Sequence, residues 1–452
     1  MKTALRILAA LVVIGVVALA AIILVPPQLT PPQEELAADW APEPGQGQYA
    51  SRMADCAACH TAEGGAPYAG GREIHSPMGT IYSSNITPSE TAGIGGWTLE
   101  DFRASLVDGI GKGGVHLYPA MPYENYRKLS EEDIRAMYAY FMEEVQAVDE
   151  PVEETALSFP FDQRWGIRLW NWVALDEPGF QPNMADPVLA RGEYLVEGPG
   201  HCAACHSPRN LIMAQDGTET TDASYLTGGE IDGWSAPDLR GPDSAPQSWS
   251  AEDLRQYLMT GRNSRSAVAG EMSLVVEHSL QYLTAEDAEA MVAYLREIGT
   301  EGPAPAEPAE VADDQAGGTV VRLDAATEGT AAMLTEASPD MDLGARLYLD
   351  NCNACHFTDG RGAPQVFPQL DGNSLVTAPQ TAGLIDVILH GAKLPSTAER
   401  PQELEMPGFG HRLSDDEVAA LATFLRSAWS NEAGAVSAAD VAAERGDPAP
   451  AQ

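Results

Sequence analysis

The sequence predicts an all-α chain: three copies of one helical unit behind a single N-terminal apolar helix. Three observations predict it. The pentapeptide Cys-x-x-Cys-His occurs three times, at Cys56–His60, Cys202–His206 and Cys352–His356. Each copy follows an apolar helical segment and precedes a strongly signalled closing helix, the pattern of an internal repeat. Strand signals, runs of alternating β-branched residues, are scarce.

The elements follow in order. Lys2 and Arg6 precede an apolar run from Ile7 to Val25, closed by Pro26-Pro27. The run is long enough to cross a bilayer, which needs about 17–25 residues. It is either a signal peptide or an uncleaved anchor. The apolar residues continue past the small-residue triplet Ala18-Leu19-Ala20, which favours an anchor over residues 1–25. Lys2 and Arg6 would hold its N-terminus in the cytoplasm, placing the body of the chain on the periplasmic face. Residues 26–45, rich in Pro, Gln and Glu, lack the apolar content for a core and are expected to be a tether.

Three repeats are expected at 46–150, 185–300 and 341–432, with an acidic Pro/Ala linker at 301–340 and a disordered tail at 433–452. Each opens on a helix marked by a tyrosine: Tyr49, Tyr194 and Tyr348. Middle helices are expected at Thr98–Ile110, Ser250–Thr260 and Leu384–His390, stopped by Gly109, Gly261 and Gly391. Closing helices start at the N-caps Ser130, Thr284 and Ser414, each with an acid three residues on. Of these acids only Glu417 makes a strict capping box. Leu129 and Ile134, and Leu413 and Val418, are spaced as hydrophobic staples. Tyr140, Tyr294 and Phe424 fall on the inner faces of the closing helices.

The chemistry lies in the pentapeptides. Two thiols two residues apart reach the two vinyl groups of one haem, and the adjacent histidine lies under the iron. A thioredoxin-type site needs no histidine and sits near a βαβ pattern. Structural zinc pairs one C-x-x-C with a second ligand pair downstream. Disulfides need free partners, and three haems use all six cysteines. The cofactor expectation is three covalently bound haem c, held by Cys56, Cys59, Cys202, Cys205, Cys352 and Cys355. His60, His206 and His356 are the expected proximal ligands. Short helices joined by Gly/Pro-rich loops around haem describe c-type cytochrome domains, here three class I domains in tandem.

A thioether is the usual second partner of such a histidine and raises the potential. Of 14 methionines, position in the repeat selects Met121, Met272 and Met406, each before a closing helix. Met121 and Met406 are followed by proline; Met272 is not. Met259 and His278 lie near enough to compete with Met272. Pro67, Pro208 and Pro364 are candidate carbonyl partners for the proximal histidines, and Arg72, Arg240 and Arg361 for the haem propionates. No catalytic residue is assigned.

The chain carries 66 acidic and 26 basic residues, a net charge of −40. That excludes nucleic acid, which needs a basic footprint, and adsorption to anionic lipid. It suits solubility and an electropositive docking partner.

Several stretches resemble the triheme cytochrome c subunit of membrane-bound periplasmic dehydrogenases acting on alcohol, gluconate, sorbitol, fructose or aldehyde. They are Tyr82-Ser83-Ser84-Asn85-Ile86-Thr87-Pro88, Gly93-Ile94-Gly95-Gly96-Trp97, Leu117–Tyr123, Arg164-Trp165 with Leu169-Trp170-Asn171, Ile231–Leu239, Val276–Ser279 and Met406–Gly410. The resemblance covers about residues 46–300 and 340–430. It implies a non-catalytic electron-transfer subunit. Electrons would arrive from a dehydrogenase catalytic subunit of flavin, quinone-cofactor or molybdenum type and leave to ubiquinone or a terminal oxidase. Two other classes compete: a haem enzyme with one open site (a peroxidase or thiosulfate-type oxidoreductase), and the cytochrome subunit of a terminal oxidase. The long tether before the third repeat implies a third domain more mobile than in the family.

Overall fold

The computed structural model describes residues 2–76, 78–231, 233–299 and 329–446. Most of the expected linker, residues 301–328, and the end of the expected tail, 447–452, lie outside the described residues. Helices dominate, led by the apolar helix Lys2–Leu24. It is the one described helix long and apolar enough to cross a membrane, with mean hydropathy 3.3.

The all-α expectation needs one correction. Among the described residues, four small antiparallel sheets sit between the helices: a three-stranded one (Glu73–Ser76, Gly79–Tyr82, Ala156–Leu157) and three hairpins. The hairpins pair Ile110–Gly111 with Val115–His116, Gly229–Ile231 with Trp234–Ala236, and Gly391–Lys393 with Glu405–Pro407. Their strands are two or three residues long, too short to show alternation in sequence. They form because the backbone polar groups of these loops must find partners.

The chain divides into two compact units. The first comprises residues up to Gln181 with Glu197–His201 and Asn210–Gln215; the second comprises Pro182–Val196, Cys202–Arg209 and residues from Asp216 onward.

In every repeat the opening helix crosses the closing helix at a glycine. A Cβ on Gly47 would lie 2.1 Å from the Ala136 carbonyl oxygen; on Gly192, 2.1 Å from that of Ala290; on Gly344, 2.3 Å from that of Ala420. Next to each crossing stands the expected aromatic, Tyr140, Tyr294 or Phe424, all buried. The opening tyrosines are not equivalent, however. Tyr49 and Tyr194 stand two residues past the crossing glycine and Tyr348 stands four past it, where its hydroxyl donates to the Phe357 carbonyl at 2.5 Å.

The caps form as expected: Ser130, Thr284 and Ser414 accept from the N–H groups of Asp133, Asp287 and Glu417. Ser414 and Glu417 complete a capping box, and so do Thr98 and Asp101 on the first middle helix, Leu99–Val107. Gly109, Gly261 and Gly391 follow the middle helices with φ of 63°, 73° and 87°, angles that favour glycine.

The described parts of three segments expected to be loose make specific contacts. In the tether, Thr30 donates its N–H and hydroxyl to the Asp108 carboxylate at 2.9 and 2.6 Å. In the tail, the helix Ala438–Gly446 buries Val441, and Arg445 donates to Asp415 and to the Leu413 carbonyl at 2.6 and 2.7 Å. Val436 and Val441 give this Ala-rich segment an apolar face, which its composition obscured. Within the expected linker, the helix Gly329–Glu336 buries Leu334 in the third core.

The third repeat is bonded to the second within their shared unit. Main-chain bonds run from Gln365 N–H to the Asn263 carbonyl (3.0 Å) and from Gln369 N–H to the Arg265 carbonyl (2.8 Å). The side chains of Gln365 and Gln256 also bond, at 2.8 Å. The Trp234 ring packs so close to Gly383 that a Cβ there would lie 2.8 Å away.

Candidate haem sites

Each pentapeptide folds as one helical turn: Cys56–His60, Ala203–His206 and Asn353–His356. A helical turn brings residues i, i+3 and i+4 to one face, so both sulfurs and the imidazole of each motif point the same way. None of the six cysteines is disulfide-bonded. Burial pushes the Cys56, Cys202 and Cys352 thiols up to about 12, so they are neutral. Positive φ at Asp55 (49°) and His201 (38°) turns the chain sharply into the first two motifs.

The proximal histidines share one arrangement. Nδ1 of His60 lies 2.6 Å from the Ser84 carbonyl oxygen, Nδ1 of His206 2.8 Å from that of Pro237, and Nδ1 of His356 2.9 Å from that of Pro368. A carbonyl can only accept, so the proton is on Nδ1 and the Nε2 lone pair is free for a metal. Burial lowers the pKa of all three rings, which holds them neutral as ligation requires.

These carbonyls correct the expectation of Pro67, Pro208 and Pro364. The partners lie on more distant loops, and two belong to stretches already singled out. Asn85 explains the first: its Oδ1 accepts from the N–H and hydroxyl of Thr87 at 2.9 and 2.7 Å, and its Nδ2 donates to the Val148 carbonyl at 2.8 Å. This clamp fixes the peptide beside it, the one carrying the Ser84 carbonyl. In the third repeat, the peptide whose carbonyl holds His356 donates through Gln369 N–H to Arg265 of the second.

Two of the expected propionate arginines are engaged by backbone. Arg72 donates to the Ala58 carbonyl at 2.6 Å, and Arg240 to those of Ile298, Asp222 and Tyr225. Arg361 bonds Asp359 through its main-chain N–H. Arg209, not singled out in sequence, donates to the Ala204 carbonyl at 2.7 Å. It does for the second motif what Arg72 does for the first, from a different place in the chain.

The three methionines do not share one loop shape. Met121 sits in a turn whose N–H bonds to the Tyr118 carbonyl, against the first core. The helix Trp165–Ala174 and its N-cap residue Arg164 clamp this turn. Arg164 donates to the His116 carbonyl at 2.9 Å and covers the Tyr118 ring at 4.3 Å. Tyr123 donates to Asn171 at 3.1 Å and meets Trp170 edge-on at 6.0 Å. Met406 lies on the strand Glu405–Pro407, paired with Ala392. Met272 is in the first turn of the helix Glu271–His278. His278 closes the same helix, six residues on and about 120° around its axis, so the two cannot share one face. The Met259 sulfur accepts from Arg255 at 3.5 Å within its own helix.

The cytochrome c family profile matches residues 43–143, 189–299 and 341–429, one match over each pentapeptide. The chain belongs to the cytochrome c family. It is 43% identical over 402 residues to the cytochrome c subunit of an alcohol dehydrogenase (quinone) of Gluconobacter oxydans, covering 88% of this chain and 80% of that protein. It is 41% identical over 413 residues to the gluconate 2-dehydrogenase cytochrome c subunit of Pantoea cypripedii, covering 89% of each. The fructose dehydrogenase cytochrome subunit of Gluconobacter japonicus is 40% identical over 408 residues, or 88% of this chain and 81% of that protein. The cytochrome is an electron-transfer protein carrying three covalently bound haem c, and the three turns with Nδ1-fixed, neutral histidines fit that cofactor.

Proposed function

We propose that this cytochrome is the triheme subunit of a membrane-bound dehydrogenase complex, acting on the periplasmic face of the inner membrane. It takes electrons from a catalytic subunit that oxidises a CH–OH or aldehyde donor and passes them to ubiquinone or a terminal oxidase. The helix Lys2–Leu24 anchors it. The repeats at 46–150, 185–300 and 341–432 are read as class I domains.

One observation carries the reading: three pentapeptides with the same histidine geometry, in a chain about 40% identical to cytochrome subunits of three dehydrogenases. Haem supplies a one-electron carrier whose potential depends on its axial ligands. The chain's residues do the rest. Cys56 and Cys59, Cys202 and Cys205, and Cys352 and Cys355 form the thioethers. His60, His206 and His356 are aimed by the Ser84, Pro237 and Pro368 carbonyls. Met121, Met272 and Met406 would each supply a thioether to the haem iron of their repeat, which would leave no open position for a substrate. The bonds from Gln365 and Gln369 to the second repeat hold the second and third sites in a fixed relation, so little reorganises during transfer.

The test is purification of the full-length cytochrome from its native membrane. Copurification of a flavin, quinone-cofactor or molybdenum dehydrogenase subunit, with three low-spin haems reduced by that subunit's substrate, is the expected result. A copper–haem oxidase core in its place, or a stable high-spin haem, overturns the reading.

A further inference from the structure

The Trp165–Ala174 helix, WGIRLWNWVA, contains no acidic residue in a chain with 66. One side packs on the first repeat. Ile167 is buried, Trp170 meets Tyr123, and Asn171 donates to the Asp108 carbonyl at 2.9 Å. The other side does not pack. Leu169, Trp172 (63% exposed) and Val173 (75%) form one stripe at i, i+3 and i+4. Beside it, Leu211, Ile212 and Met213 are exposed, Leu211 fully. Trp170 ties that loop to the helix by donating Nε1–H to the Ile212 carbonyl at 2.8 Å. Six large apolar side chains, all within the first unit, make a patch of the kind soluble surfaces avoid.

Its position says what covers it. Arg168, on the same helix, donates to the carbonyls of Ile22, Val25 and Pro26. These oxygens end the apolar helix, so Arg168 is its C-terminal cap. The apolar span Thr3–Leu24 has 22 residues, a length of about 33 Å against a hydrocarbon core of about 30 Å. If one end of that span meets water, the other does too, and a helix bonded to its last carbonyls lies at the boundary. Tryptophan is enriched at that depth. A short helix with one apolar face lies there in the membrane plane.

We propose that the stripe Leu169, Trp172 and Val173, with the loop Leu211–Met213, rests in the head-group and acyl boundary of the bilayer that the N-terminal helix crosses. The partner is zwitterionic lipid, since a net charge of −40 opposes an anionic surface. This rests on the reading of Lys2–Leu24 as an anchor. The helix that grips the Met121 turn thereby also holds the first repeat down on the membrane.

The test uses full-length holoprotein in phosphatidylcholine vesicles with nitroxides at V173C and L211C. V13C in the anchor and E90C on an exposed loop are references, and collision with oxygen is compared with a water-soluble nickel chelate. The labels at 173 and 211 are expected to favour oxygen, as at 13, while the label at 90 favours nickel. If 13 favours oxygen but 173 and 211 favour nickel, the patch faces water and the proposal fails while the anchor stands. If 173 and 211 are shielded from both reagents, protein covers the patch and the proposal also fails. If 13 itself favours nickel, the anchor reading fails and takes the proposal with it.

Discussion

Glu131 shows how single side chains hold the first domain. Its side chain is 2% exposed and accepts from Arg103, 7% exposed, through two bonds, and from Arg135 at 2.9 Å. Burial pushes the carboxyl up, but the bonds from Arg103 and Arg135 outweigh it and hold it below the ordinary carboxylate range. A depressed carboxyl contributes stability that is present above its unfolded value and is lost as pH falls through its folded value. The thermal stability of the first domain should therefore fall as pH drops below about 4.5. E131Q should cost about 3 kcal/mol near neutrality, because the Arg103 charge stays buried without its partner, and should flatten that acid limb. An unchanged acid limb in E131Q, followed by calorimetry, would place the titrating group elsewhere. The methionines give a second residue-scale prediction. M121A, M272A and M406A should each turn one haem high-spin in the absorption spectrum, while M259A should leave all three low-spin, since Arg255 engages that sulfur inside a helix. A low-spin M272A protein would remove Met272 as ligand.

The crossings of opening and closing helices set the shape of each repeat. The three glycines there meet a backbone carbonyl, which cannot swing aside as a side-chain tip can. G344A should cost about 1–3 kcal/mol by overpacking, seen as a lower melting temperature for the third domain. Gly166, on the Trp165–Ala174 helix, has nothing within 4 Å of its Cβ position, so G166A should stabilise by up to about 1 kcal/mol. If G344A melted no earlier than G166A, the helices would not be locked at that crossing. At this scale the sequence was most legible where the physics is local. Ser130, Thr284 and Ser414 cap because a hydroxyl reaches an N–H three residues on. What sequence hid was long-range. The carbonyls aiming His60 and His206 lie 24 and 31 residues away, and no local pattern links an imidazole to a backbone oxygen. The hairpins were too short to show alternation, and the Ala438–Gly446 helix looked frayed until Val436 and Val441 found the third core.

The net charge of −40 belongs to the whole molecule, and it acts at distances where single contacts do not. A field of that sign attracts cationic reactants and repels anionic ones, and salt screens both effects. The screening length falls from about 30 Å at 0.01 M salt to about 8 Å at 0.15 M. Stopped-flow oxidation of the reduced holoprotein by a cationic one-electron complex should slow by about tenfold or more over that range. Oxidation by an anionic complex of similar potential should quicken. If the two rates respond alike to salt, the acidic residues serve solubility and do not steer. If they diverge, the physiological partner can be chosen by the same criterion: its docking face must be electropositive, and its association must weaken with salt in the same sense as the cationic probe.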